Sequence, residues 1–347
     1  MKSILFVGGS FNQQGGKPSS VMNTLFVGFR DNYKGSIHKY NGGNIEDLSL
    51  IDFREHDVIL WFPDIPNEMN KVIQTIKQIN PSCILVTSKR NFNEYSRAEV
   101  IQRALKIKSN LVVEVSQNEV MQYVGCLIDP LGNIFQDFTN DFYAIGKAIG
   151  KRVKELQSFT RMPSERVEGI IEVPDEQRFF EIIRQAAETF HSLLPEVKTE
   201  RFLGNASFRC ARGFPSMRKD DIIFVSRRNV DKRFIDRDAF VPVQLRTDKV
   251  YYYGEHKPSV DTPIQLKIYD YFPNIRYMIH GHVHIKGGPF TKHIIPCGAL
   301  EEFDDVRRIV QDKDIHHFAV NLKGHGFIVA SDQLEFLCGI LYNERKI

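Results

Sequence analysis

Four short apolar runs in the first half of the chain constrain its fold more than any other feature: Ile4-Leu-Phe-Val7, Val58-Ile-Leu-Trp-Phe62, Cys83-Ile-Leu-Val-Thr87 and Leu111-Val-Val-Glu-Val115. Each has the length of a strand, and the stretches between them, Ser20–Phe29, Asn67–Ile79 and Arg97–Ile107, have helical spacing. A strand apolar at nearly every position is buried on both faces, which is the situation of a parallel sheet covered by helices on either side. The first half is therefore predicted as an α/β domain with a doubly wound parallel sheet. A long helical pattern, Asn140–Leu156, closes it, and the polar, Pro-containing stretch from Gln157 to Asp175 reads as a connector.

The pattern changes after that connector. An amphipathic helix is expected over Glu176–Leu194, with Phe179, Phe180, Ile183 and Ala187 on one face. It is followed by strand-like runs at Asp221–Val225, Phe240–Gln244, Ile275–Ile279, Phe318–Leu322 and Gly326–Val329. Two domains are expected, residues 1–165 and 170–347, the second with its own α/β/α arrangement. At 42% hydrophobic and 26% charged residues the composition is that of a globular chain, with enough apolar material for two cores.

Composition also excludes some functions. The net charge is only +3, with both signs interleaved and no cationic block, so nothing favours a nucleic-acid partner. The five cysteines are scattered, without a Cys-x-x-Cys pair, which argues against a disulfide scaffold or a structural zinc knuckle. The apolar run at the N-terminus is too short for a signal peptide, and no segment has the eighteen apolar residues of a membrane span. A cytoplasmic protein with no membrane partner is expected.

Chemistry gathers at His280-Gly-His-Val-His284, which ends the apolar run Ile275–Ile279. In an extended strand His280, His282 and His284 would project from one side, advancing about 3.3 Å per residue. Adjacent members of that row can share one metal ion, whereas the outer pair, roughly 13 Å apart at the same rise, cannot. A third ligand must come from elsewhere. Upstream, Asp261 precedes a helix expected over Pro263–Tyr271, where its carboxylate would either cap amide groups or serve chemistry.

Four motifs in the second half together resemble the class II aldolases and their relatives, the ribulose-phosphate 4-epimerases and adducin head domains. Leu203-Gly-Asn-Ala-Ser-Phe-Arg209 is similar to the family's Gly-Asn-Ile-Ser-x-Arg turn, and Lys257-Pro-Ser-Val-Asp-Thr-Pro263 to its Pro-Ser-Ser-Glu/Asp-Thr segment. Tyr269 to His284 resembles the Tyr…Pro…His-Thr-His stretch, and Leu322-Lys-Gly-His-Gly326 the Leu-x-Asn-His-Gly turn. The order and spacing agree over roughly residues 176–340. The fold implied for this half is the class II aldolase-like one, with a largely antiparallel sheet.

The resemblance implies a divalent metal, most often Zn2+, held by His280, His282 and His325. Three neutral imidazoles leave a coordination position open, and Gly324 and Gly326 would let the backbone approach a crowded site. In the family the metal acts as a Lewis acid that stabilises an enediolate during reversible carbon–carbon cleavage. An acidic residue moves the proton, and the matching position is Asp261, where aldolases carry Glu and 4-epimerases Asp.

Phosphate in the family is held by small polar groups from three loops. Gly204 and Asn205 match the first, and Ser259 the third, where Val260 replaces a second serine. The second loop departs from the family: Val225-Ser-Arg-Arg-Asn229 stands where Thr-Pro-Ser-Gly is expected. Ser226, Arg227 and Arg228 are therefore candidate ligands of a larger anion such as a sugar-nucleotide, since arginine makes bidentate bonds to phosphate; the alternative is a solvated basic turn running on to Arg233. Gln265 stands where the family often has His. His284, His293, His316 and His317 are read as surface or polar-core residues.

In the first half, the loop Gly8-Gly-Ser-Phe-Asn-Gln-Gln-Gly-Gly-Lys-Pro-Ser-Ser20 links a strand to a helix, where doubly wound sheets place anionic ligands. Gly8, Gly9, Ser10, Lys17 and Ser19 are its candidate anion-binding residues, with Asp64 and the Ser88-Lys-Arg-Asn91 segment on the same sheet edge. The loop fits neither the dinucleotide nor the Walker pattern, and a loop before a capped helix explains it equally. The layout resembles flavodoxin-like or Rossmann-like domains at fold level only, which carries no activity.

The expectation is a metal-dependent aldolase-like lyase or epimerase acting on a phosphorylated sugar or sugar-nucleotide. Two alternatives stand beside it: a non-catalytic scaffold of the adducin kind, and an enzyme whose nucleotide or glycosyl-transfer chemistry lies in the first half. The resemblance also implies a homo-oligomer, in the family usually a tetramer.

Overall fold

The structure is a computed structural model that describes residues 3–65, 71–90, 96–193, 202–210, 222–245 and 249–344. Asn67–Asn70 of the expected helix, Asn91, Leu194 and Asp221 lie outside the described residues. The chain divides into two compact units, the break in the chain path falling between Ser158 and Phe159.

Among the described residues the first unit holds seven strands: β1 (Ser3–Ser10), β2 (Ser36–Asn41), β3 (Val58–Asp64), β4 (Ile84–Arg90), β5 (Leu111–Gln117), β6 (Tyr123–Ile128) and β7 (Ile134–Thr139). They form one sheet in the order β2-β1-β3-β4-β5-β6-β7. Its helices are α1 (Ser20–Asn32), α2 (Ile45–Ser49), α3 (Lys71–Ile79), α4 (Arg97–Ile107) and α5 (Phe142–Ser158). The first five strands in that order are parallel, but β6 and β7 run antiparallel, so the sheet is mixed at one edge. Neither edge strand β2 nor β7 is legible in the sequence. Their residues are partly or fully exposed, with no clean alternation of apolar and polar side chains, and pairing with a neighbour holds them extended.

Alternation along β1 supplies both cores of this unit. Ile4 and Phe6 join Leu60, Phe62 and the inner faces of α1 and α5, whereas Leu5 and Val7 join Ile59, Trp61 and α3 on the opposite side. Full burial of each such side chain stabilises by about 1.5–3 kcal/mol. Gly28 and Gly146 let α1 and α5 touch backbone to backbone. A Cβ on Gly146 would lie 2.0 Å from the Leu25 carbonyl oxygen.

The second unit carries β8 (Ser164–Val167), β9 (Asn205–Arg209), β10 (Ile223–Ser226), β11 (Phe240–Leu245), β12 (Val250–Tyr253), β13 (Tyr277–Gly281), β14 (His284–Ile285), β15 (His317–Leu322), β16 (Gly326–Ser331) and β17 (Tyr342–Asn343). Its helices are α6 (Gln177–Leu193), α7 (Thr262–Tyr271), α8 (Glu301–Ile309) and α9 (Leu334–Cys338). Eight strands form one sheet in the order β15-β16-β13-β9-β10-β11-β12-β8, antiparallel except for the last pair. The segment read as a connector thus supplies an edge strand of this sheet. The small β14–β17 ribbon is a separate sheet, joined to β15 by the Asn321 side chain, which bonds the Ile285 amide and carbonyl.

Two apolar layers cover this sheet. Phe179, Phe180 and Ile183 of α6 pack with Phe208, Phe224 and Ile279 on one face, as the helical spacing predicts. On the other face Ile223, Val225 and Met278 pack with Ile264, Ile268 and Val306 of α7 and α8. His280 follows Met278 by two residues, so it emerges on the α7 and α8 side of the sheet. Among the described residues no helix is long and apolar enough to cross a membrane.

Candidate metal centre

Adjacent strands and one helix build the site. Asn205 opposes His280 in the β9–β13 register, and along β9 the polar side chains Asn205 and Ser207 alternate with the core residues Ala206 and Phe208. Those two strand positions match two positions one turn apart on α7: Gln265 Nε2 donates to Asn205 Oδ1, and the Ser207 and Tyr269 hydroxyls lie 3.1 Å apart. The helix is thereby fixed against the strand by two buried polar contacts.

Asp261 stands at the N-cap position of α7, but its carboxylate makes no capping bond. Instead Oδ2 accepts from Asn205 Nδ2 at 3.0 Å and Oδ1 from the Gly298 amide at 2.8 Å. Oδ2 also lies 3.8 Å from His280 Nε2. The capping alternative is therefore set aside, and the carboxylate faces the histidines.

His280, His282 and His325 are all buried, and one ligand nitrogen from each lies within 4.8 Å of the others. Ring centroids are 4.8 to 5.1 Å apart. The expected row of three is broken, however, because β13 ends at Gly281; His284 starts the β14 ribbon, and its ring packs on Phe290. His325 comes from the tight turn between β15 and β16. Gly326 has φ +152, and a Cβ there would sit 1.9 Å from the Gly281 carbonyl oxygen, so only glycine lets the two histidine-bearing segments meet.

Two buried bonds set the protonation of these rings. His280 Nδ1 donates to the Phe327 carbonyl at 2.7 Å, which leaves Nε2 as a bare lone pair. Burial, helped by neighbouring His325, pushes His280 down to about 4, so it stays neutral at ordinary pH. His325 Nδ1 donates to Glu302 at 2.7 Å, and its Nε2 lies 3.0 Å from Cys297 Sγ. Burial opposes charge on His325, but Cys297 and Glu302 outweigh it and raise the ring well above its usual value. Burial likewise raises Glu302, which is fully enclosed.

The set fits a divalent ion. Among the described residues His280 Nε2 is buried without a hydrogen-bond partner, a position that costs free energy unless something accepts its lone pair. A carboxylate orienting a ligand imidazole, as Glu302 does His325, is also the usual outer support of such a centre. Glu302, Cys297 and Gly298 are absent from the sequence reading: a Glu-Glu pair opening a helix and an isolated Cys-Gly carry no metal spacing.

The anion-binding candidates divide. Gly204 (φ +82) packs against the His280 backbone, where a Cβ would meet its carbonyl oxygen at 2.6 Å. Ser226 Oγ accepts from the Ala206 amide at 3.1 Å, and its carbonyl accepts from the Ser259 amide at 3.1 Å. Ser259 Oγ accepts from Asn205 at 3.1 Å. Gly204, Asn205, Ser226, Ser259 and Asp261 thus form one bonded cluster. Arg227 is bound through its own backbone amide to the Ala239 carbonyl, and Arg228 Nε donates to the Pro258 carbonyl at 2.8 Å.

The basic turn is only partly solvated. Lys232 is 8% exposed, its Nζ donates to the Phe202 carbonyl at 3.0 Å, and burial lowers it to about 8. Arg233 is bound to Asp231 instead. Of the remaining histidines, His293 and His316 pair with Asp305 and Asp332, and His317 stacks on Phe336.

In the first unit the Gly-rich loop folds back on β1. Ser10 N donates to the Lys17 carbonyl at 2.9 Å and Ser10 Oγ accepts from Lys17 N at 2.8 Å. Gly9 has φ +97, and Gly8 abuts the Phe6 ring; a Cβ on Gly16 would lie 1.6 Å from the Ser10 carbonyl oxygen. Ser19 Oγ caps α1 by accepting from Met22 N. Asp64 pairs with Arg90 at 2.7 Å, which ties the ends of β3 and β4. The Ser10–Lys17 bonds and the close approach at Gly16 shut the loop on itself, whereas Ser19 serves the helix and Asp64 the sheet.

Residues 184–285 match the family model of the Class II Aldolase and Adducin N-terminal domain. That segment includes Asn205, Asp261, His280 and His282, and so bears out the resemblance carried by those motifs; His325 lies beyond it. The match falls within the second unit, in a chain that also carries a separate mixed-sheet unit. Among solved structures, a sugar-phosphate aldolase from Thermotoga maritima is 18% identical over 45% of this chain and 90% of its own, with a TM-score of 0.33. YgbL from Escherichia coli, a candidate aldolase/epimerase/decarboxylase, is 16% identical over 47% of this chain and 83% of its own, with a TM-score of 0.31. A DNA/pantothenate metabolism flavoprotein from Streptococcus pneumoniae is 11% identical over 46% of this chain and 99% of its own, with a TM-score of 0.35. Likeness at this level says nothing of activity. No curated protein matches the chain in sequence.

Proposed function

We propose that the second unit is a metal-dependent lyase or epimerase acting on a small hydroxy-carbonyl compound that carries an anionic group, of the phosphorylated-sugar kind. The observation that carries this reading is the convergence of three buried imidazole nitrogens beside a carboxylate that makes no helix cap. His280, His282 and His325 would hold the ion, of which zinc suits an imidazole set best. Bound there, it would supply Lewis acidity to a carbonyl or hydroxyl oxygen.

The chain's own groups do the rest. Asn205 and the Gly298 amide hold both oxygens of Asp261, which keeps the carboxylate aimed at the histidines, where it would take a proton from a substrate carbon. The turn of Gly204 and Asn205 with Ser226 and Ser259 surrounds it with small polar groups suited to an anion, and buried Lys232 adds a positive charge that acts on Asp261. A pure scaffold has no physical need for a buried, unpartnered His280 Nε2.

Retro-aldol and epimerase assays over pentose, deoxypentose and nucleotide-linked sugar phosphates, run on metal-loaded protein beside Asp261→Asn, test this. Turnover that requires both metal and Asp261 is expected. Full activity of Asp261→Asn, or loss of activity on changing Asp64 or Lys17 in the first unit, would place the chemistry elsewhere.

A further inference from the structure

We infer that Cys297 is a fourth protein ligand of the metal, a sulfur donor that fills the open position of the three-histidine set until substrate displaces it. This rests on the metal-centre reading above and adds to it a ligand of different chemistry.

Cys297 Sγ lies 3.0 Å from His325 Nε2, the nitrogen that His325 presents to the triad once Nδ1 is committed to Glu302. Asp261, Cys297 and His325 form a second group whose donor atoms all fall within 4.8 Å, sharing His325 with the first. His280 Nε2, buried and without a hydrogen-bond partner, points into the same space, 3.8 Å from Asp261. Imidazole and sulfur donors on a tetrahedral zinc sit about 3.5 Å apart, so an ion entering between His325 and Cys297 needs them to part by only roughly half an ångström.

Local backbone geometry holds the thiol there. Gly298, next to Cys297, donates its amide to Asp261 and has φ +78; a Cβ on it would meet the Val260 carbonyl oxygen at 2.9 Å. The Cys297-Gly298 turn is therefore pressed against the Val260-Asp261 segment, and thiol and carboxylate arrive together. The two then divide the work by chemistry. Asp261 already accepts two hydrogen bonds, which weakens it as a ligand and positions it as a base, whereas a thiolate binds zinc or cobalt more firmly than a carboxylate does. On binding, a metal–sulfur bond forms and the thiol proton leaves to bulk water. When a substrate oxygen takes that position the metal–sulfur bond breaks and sulfur regains a proton, with no change of oxidation state.

Cobalt substitution reads this directly. The metal-free full chain is loaded with one equivalent of Co2+ and its absorption spectrum recorded, together with those of Cys297→Ser and Cys297→Ala. Visible bands of a four-coordinate ion and near-ultraviolet thiolate-to-cobalt charge transfer are expected in the unaltered protein. Both variants should keep the visible bands and lose the charge transfer. Cobalt bound with visible bands but no charge transfer in the unaltered protein would overturn the Cys297 assignment and leave the histidine centre standing, as would charge transfer undiminished in both variants. No binding of cobalt at all would overturn the centre itself.

Discussion

The bond from His280 Nδ1 to the Phe327 carbonyl, 2.7 Å long, decides which nitrogen of that ring faces the site. Phe327 lies on β16 one residue past Gly326, so the strand that follows the His325 turn also orients His280. The two ligand segments are coupled through one backbone group. Because Nε2 of His280 then has no other partner, His280→Ala should lower divalent-metal affinity by at least about 100-fold, beyond what loss of a supporting group alone costs. Elemental analysis after dialysis against a weak chelator would show it; stoichiometric metal in the variant would remove His280 from the ligand set.

Glu302 touches no ligand position, yet its carboxylate accepts the Nδ1 proton of His325 in full burial. Glu302→Gln should weaken metal binding about 10- to 100-fold while leaving the fold intact. Calorimetric titration of zinc into both proteins measures this, and equal affinities would deny Glu302 its orienting role.

Asp261→Asn should separate binding from turnover. The amide keeps the side chain's shape, so metal content is expected to be unchanged while kcat falls about 10²- to 10⁴-fold, the usual worth of a positioned proton-transfer group. Exchange of substrate carbon-bound hydrogen with deuterated solvent, followed by NMR, reports the same step without needing bond cleavage.

Gly326→Ala puts a methyl group where the Gly281 carbonyl oxygen already lies, 1.9 Å from the ideal Cβ, at a backbone φ of +152. Strain alone costs about 1–3 kcal/mol, and the overlap adds to it. A fall of several degrees in Tm, with loss of metal, is expected by calorimetry; an unchanged Tm would contradict the close approach of the two segments.

Lys232 makes stability depend on pH. Burial lowers its ammonium from an ordinary 10.5 to about 8, so between those values the unfolded chain binds the proton and the folded one does not. Stability therefore rises with pH across that window, by at most roughly 3 kcal/mol for one group shifted this far. Urea unfolding at pH 7.5 and pH 10 should show a rise in the unaltered protein that is smaller in Lys232→Met. Equal rises in both would assign the effect to other groups.

Much of the architecture was legible because its signals are local. The runs Ile4–Val7 and Leu111–Val115 lie in β1 and β5, and Arg97–Ile107 is α4, since apolar spacing follows from which faces a segment buries. The edge strands β2 and β7 were not legible: partly exposed residues without a clean apolar alternation are held extended by a neighbour rather than by their own preference. The same limit applied to Lys232, whose place in a basic run gave no sign that it is buried.

At the site, spacing in the sequence brought out the His280 and His282 pair, and the resemblance to the class II aldolases added His325 and the role of Asp261. Spacing alone could not choose between a cap and a base for Asp261, nor limit the histidine row, although the resemblance implied the base and left His284 without a role. Tertiary structure decided both: the strand ends at Gly281 and removes His284, while Asn205 and Gly298 draw the carboxylate away from the helix amides. Glu302 and Cys297 came into view only there, since their part depends on a distance across some 23 to 28 residues of chain, and residue type and spacing carry no information about which distant groups a fold will bring within 3 Å.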